Sequence, residues 1–259
     1  MTAIRPYFRS CFRRVTGDWI ARLAALFAIQ IICGTARAGE TTACHVLPRP
    51  QDEVWLVSSR SVGCGEPRQQ VARLQCWRYD REHCWSKASL GELSATDDPN
   101  VVTTVFVHGN RISHDEAFDR GWAAYCALVR CAGERPVRFV IWSWPSEAVL
   151  GPVNDARVKA WRTDPTAFYL AWFVDRLSGD VPLSFWGHSF GARVVSGALH
   201  LLGGGAVQGY RLDERLHPSR QPMQFVAVVA AVDNDWLLPR HCHGEALPQL
   251  TSLLLVNNG

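Results

Sequence analysis

No stretch of this 259-residue chain stays apolar for the ~20 residues that a bilayer crossing needs, no repeat of fixed period recurs, and no net positive charge lies outside residues 1–38. The first absence argues against a membrane-spanning helix and the second against a solenoid. The third removes the electrostatic case for nucleic-acid binding by the body of the protein. Six arginines against Asp18 give residues 1–38 a local +5, which leaves −2 for the rest of a chain whose total is +3. Hydrophobic residues at 47% and charged residues at 20% fit a globular chain with a full core and exclude a disordered or collagen-like one.

The arginine-rich start runs into an apolar segment, residues 23–33, and then Ala36-Arg37-Ala38, a small-x-small cleavage site. That is the layout of a secretory signal over residues 1–38. A secreted or periplasmic protein is expected, touching membrane only through an uncleaved signal. Of nine cysteines, Cys11 and Cys33 leave with the signal and seven remain. Cys44, Cys64, Cys76 and Cys84 cluster, allowing three pairings. Cys126 and Cys131 are close enough in sequence for a local bridge, and Cys242 is expected to be a buried free thiol.

Residues 39–98 carry short strands at 54–58 and 74–79 among glycine, proline and cysteine, predicting an antiparallel edge of a sheet or a small disulfide-pinned cap. From residue 99 to 259 the order is regular. Continuous apolar runs at 101–107, 137–142, 183–186, 225–231 and 253–256 read as strands covered on both faces. Helices lie between them: one opened by a Ser113/Glu116 capping box and ending near Gly133, one starting at Asp164-Pro165, and one following Ser189. The fold class is therefore α/β, a mostly parallel sheet with helices on both faces.

The third of those strands runs into Gly187-His188-Ser189-Phe190-Gly191 and directly into a helix. In a G-x-S-x-G turn the serine takes a strained conformation that exposes its hydroxyl as a nucleophile, and the glycines remove side chains that would collide there. Attack on a carbonyl creates an oxyanion that needs two fixed N–H donors. The residue after the nucleophile, Phe190, supplies one; Asn110, in the loop after His108-Gly109, supplies the other, with Arg111 as its neighbour. Trp142, Trp144 and Pro145 could line an acyl pocket or serve the core. No metal or organic cofactor is implied, since the His241-Cys242-His243 triplet has no second ligand cluster.

The elbow "GHSFGAR", with "RFVIWSWPSE" and "DAR" upstream, resembles the α/β-hydrolase superfamily over residues 99–259, and in particular a branch of uncharacterised hydrolases. The resemblance implies a serine hydrolase acting on an ester, thioester or related acyl bond of a small molecule. It also implies the chain order serine, acid, histidine, with the acid after the strand "LLLV" and the histidine later still. The sequence stops at Gly259, before either, so the last strand and helix of such a fold are expected beyond it; the alternative is an inactive binding module on the same scaffold. Asp233 is the secondary candidate for the acid and Asp235 a weaker one. His241 and His243 stand at the wrong place in chain order, His188 is expected to point away from the serine, and His200 to lie on a helix surface.

Overall fold

The computed structural model describes residues 47–62, 67–82, 84–213 and 215–257; the expected signal, Cys44 and Cys64 lie outside them. Eight strands among these residues form one sheet in the order β3-β2-β1-β5-β4-β6-β7-β8. They are β1 (Glu53–Ser58), β2 (Gln75–Asp80), β3 (Cys84–Ala88), β4 (Val102–Val107), β5 (Val137–Ser143), β6 (Leu183–His188), β7 (Met223–Val228) and β8 (Leu250–Val256). All neighbours are parallel except the β1–β2 and β2–β3 pairs. The helices include α1 (Leu90–Ser94), α2 (His114–Ala132), α3 (Pro152–Arg176) and α4 (Phe190–Leu202).

Because strand side chains alternate between faces, a run apolar at every position buries two cores. Trp55, Val57, Val105, Val107, Val140, Trp142, Phe185 and Phe225 face α3 and α4. Their sequence neighbours Val54, Leu56, Phe106, Phe139, Ile141, Trp186 and Val226 face α2. The α/β class with helices on both faces is thus observed.

The capping box opening α2 is present in full, with Ser113 accepting from the Glu116 amide and Glu116 accepting from the Ser113 amide, and Gly133 ends the helix at φ 58°. The start of α3 differs from expectation. It begins at Pro152, after Gly151 at φ 85°, and carries Pro165 inside it. A proline there cannot bond the carbonyl four residues back. The Thr163 and Thr166 hydroxyls instead donate to the neighbouring carbonyls of Ala160 and Arg162, at 2.6 and 2.7 Å. Asp164, expected as an N-cap, is buried and accepts from the Gln208 side chain at 2.6 Å.

The N-terminal strands differ as well. β2 and β3 do form an antiparallel edge, but β1 lies inside the sheet and pairs in parallel with β5 over six residues. No disulfide pins this region among the described residues. Cys76, Cys84, Cys131 and Cys242 are free, so the 126–131 bridge is not made, and Cys242 is exposed rather than buried.

Candidate active site

The connection after β4 rises to α2 on one face of the sheet, and the connection after the adjacent β6 rises to α4 on the other. Diverging connections open a crevice at the carboxyl edge of a parallel sheet, where α/β proteins bind ligands. The loop at 108–113 forms one wall and the turn at 187–191 the other.

Ser189 sits at φ 53°, ψ −119°, a region sparsely used by residues with a side chain. Such strain, of order 1–3 kcal/mol, persists only where surroundings impose it. Here Ser189 N–H donates to the Val228 carbonyl at 2.8 Å, and its own carbonyl accepts from Ala192 at 3.0 Å and Ala231 at 3.2 Å. The two glycines are required by contact: a Cβ on Gly187 would lie 2.5 Å from Ala192 Cα, and one on Gly191 would overlap the Val107 carbonyl and lie 2.6 Å from that of His108. The last contact also fixes how near the two walls are. A Cβ on Gly109 would in turn lie 2.7 Å from His188 Nδ1, so the His188 ring packs on the opposite loop. Burial lowers the His188 pKa, with the charge of Arg120 adding to it.

Ser189 is half-buried, and among the described residues no side chain hydrogen-bonds its hydroxyl. Phe190 is the first residue of α4, where an amide has no partner within the helix. Neither its N–H nor that of Asn110 is spent on a described acceptor. The Arg111 N–H is spent, on the Ser146 carbonyl at 2.7 Å, in a backbone at φ 56°.

Three residues missed by sequence reasoning hold the loop. His108 is buried, its pKa lowered to about 3 chiefly by burial, so it is neutral. Nδ1 donates to the Gly109 carbonyl at 3.0 Å, and Nε2 accepts from the Trp144 amide at 3.2 Å and the Arg60 guanidinium at 3.3 Å. The Trp144 indole donates back to the His108 carbonyl at 2.8 Å and stacks on its ring. Arg60, at the end of β1, also donates to the Ile112 and Ser113 carbonyls and pairs with Glu147. Asp155 completes the set, accepting from Asn110 Nδ2 at 2.9 Å and Arg111 Nε at 3.1 Å. The signal for His108 was its place beside Gly109 at a strand end; nothing in the sequence pairs Arg60 or Asp155 with this loop.

The tryptophans therefore belong to the core. Trp142 and Trp144 are both 0% exposed, Trp142 packing on Phe173. Asp233 is exposed and accepts from the Trp236 indole at 2.9 Å, while Asp235 pairs with His241 at 3.2 Å, both half-exposed. His200, expected on the surface, is buried, with its ring nitrogens within 3.1 Å of the Ala206 and Glu245 amides. His243 is buried too and hydrogen-bonds Ser196 at 2.8 Å. Among the described residues no group of three or more His, Cys, Asp or Glu is placed to hold a metal. A cavity of about 680 Å³ between the β2–β3 edge and α3, lined by Leu74, Cys76, Lys87, Leu90 and Trp172, contains none of the candidate residues.

No protein-family model matches the chain, and neither a curated protein nor a solved structure matches it.

Proposed function

We propose that the protein is a serine hydrolase of the α/β-hydrolase type, with Ser189 attacking an ester, thioester or related acyl carbonyl of a small molecule. One observation carries the reading: a non-glycine residue, half-buried, held at φ 53° between a parallel strand and a helix at the switch point of the sheet. The Phe190 and Asn110 amides receive the oxyanion. The base is assigned to no described residue, and Asp233, which follows β7, is kept as the secondary candidate for the acid. The proposed setting is outside the cytoplasm, supported by the layout of residues 1–38.

The unpartnered Ser189 hydroxyl favours a second reading, a binding module built on the same scaffold. A fluorophosphonate probe separates the two. The hydrolase reading expects labelling at Ser189 that Ser189→Ala abolishes; a folded protein that takes no label is the binding module.

A further inference from the structure

Asp155 stands in the first turn of α3 with 1% of its surface exposed, and its two carboxylate oxygens take four donors. Oδ1 accepts from the Val149 amide at 2.8 Å and Lys159 Nζ at 3.0 Å. Oδ2 accepts from Asn110 Nδ2 at 2.9 Å and Arg111 Nε at 3.1 Å. These donors belong to the connection after β5, to α3 itself and to the loop after β4. One buried side chain thus ties the candidate oxyanion loop to the first turn of α3.

Stability alone is a poor account of this arrangement. Lys159 is fully buried, and a buried Asp–Lys pair is commonly matched or bettered by apolar residues of the same volume. Asn110 gives its amide group to Asp155 while its Oδ1 is buried with no hydrogen-bond partner among the described residues, an uncompensated polar atom. What the network does secure is position. The Arg111 amide is committed to Ser146 and its guanidinium to Asp155, so the segment is held from both its backbone and its side chains.

We propose that Asp155 is a positioning residue that sets the Asn110 amide at the oxyanion of the Ser189 reaction; the proposal rests on the hydrolase reading above. It touches no substrate and moves no proton. Its effect is confined to the step in which negative charge develops, because an oxyanion donor displaced by a fraction of an ångström loses much of the ~10²–10³-fold that such a donor supplies.

The test is the double variant Asp155→Leu/Lys159→Met, which removes the clamp without leaving a buried lysine unpaired, beside Arg111→Met, which removes one loop donor from a side chain 58% exposed. Three quantities are measured in the full chain: the binding and inactivation constants for the fluorophosphonate, taken separately, and amide hydrogen exchange over residues 109–112. The expected result is an inactivation rate lower by about 10–100-fold in the double variant and about 3–10-fold in Arg111→Met, with probe binding within about 3-fold of the parent and faster exchange in the loop. Should the double variant fail to fold, Arg111→Met decides by the same criteria. Faster exchange with an unchanged inactivation rate overturns the proposal, leaving a purely structural clamp; unchanged exchange overturns it as well. A parent protein that takes no label while its loop exchange still responds to the variants refutes the hydrolase reading itself, and the positioning role of Asp155 with it.

Discussion

Two serines stand seven residues apart, one just before α4 and one within it, and the surroundings of each lack what those of the other supply. Ser196 is buried, has helical backbone and hydrogen-bonds the His243 ring. Ser189 is half-buried, has left-handed backbone held by hydrogen bonds to Val228, Ala192 and Ala231, and has no histidine on its hydroxyl among the described residues. A search for serine beside histidine selects Ser196, whereas the proposed hydrolase reading rests on Ser189. A nucleophile has to reach its substrate, and Ser196 lies between α4 and the segment that carries His243, where a substrate has no access. On the proposed reading, backbone geometry and exposure are the guide to the nucleophile, and the histidine beside Ser196 is a packed polar contact.

The strongest way to break this comparison is to damage the elbow while sparing the Ser196 contact. Gly191→Ala drives a methyl group into the Val107 and His108 carbonyls, backbone atoms that cannot swing aside. The expected cost is about 3 kcal/mol or more in denaturant unfolding, with loss of fluorophosphonate labelling. A variant that kept both stability and labelling would mean that the two walls of the crevice do not meet as described.

A second test sharpens the other side. His243 is held neutral, its pKa lowered to about 3 chiefly by burial and further by the charges of His200 and Arg193. In the unfolded chain it takes a proton below about pH 6.5. Its contribution to stability is therefore complete above that pH and declines as the pH falls toward 3, at up to about 1.4 kcal/mol per unit. His243→Gln keeps a hydrogen-bonding partner for Ser196 but does not titrate. Equilibrium unfolding between pH 4 and 6 is expected to be shallower by about that amount, with Ser189 labelling at pH 7 unchanged.

The smallest effect is expected at Asp233. Its exposed carboxylate holds the Trp236 indole, a surface hydrogen bond worth about 0.5–1.5 kcal/mol at most. Asp233→Asn retains an acceptor and is expected to shift unfolding by less than about 0.5 kcal/mol, within the range of ordinary surface substitutions. A much slower labelling rate in that variant would instead make Asp233 the acid of the site.

What could be read from the sequence was whatever local chemistry decides. The Ser113/Glu116 box, the double-faced runs of β4 to β6 and the glycines around Ser189 each impose their structure within a few residues. Asp164-Pro165 misled because an acid before proline is a sound signal for a helix start, whereas Gly151-Pro152 is the pair that begins α3; two threonine hydroxyls nearby donate to backbone carbonyls. The clamp on the 108–113 loop was not legible for a different reason. Arg60, Asp155 and the loop come together only through sheet order, across 44 residues or more of sequence, and no spacing rule records such a meeting.

The place of β1 within the sheet has a consequence for synthesis. Val54 pairs with Phe139, so at ~5–20 residues per second the strand waits roughly 5–15 s after its own translation for its parallel neighbour to be made. During that interval Val54, Trp55, Leu56 and Val57, all buried in the finished protein, present an open apolar edge joined only to β2. A chain begun at residue 99 would leave β5 without the strand that covers its outer edge.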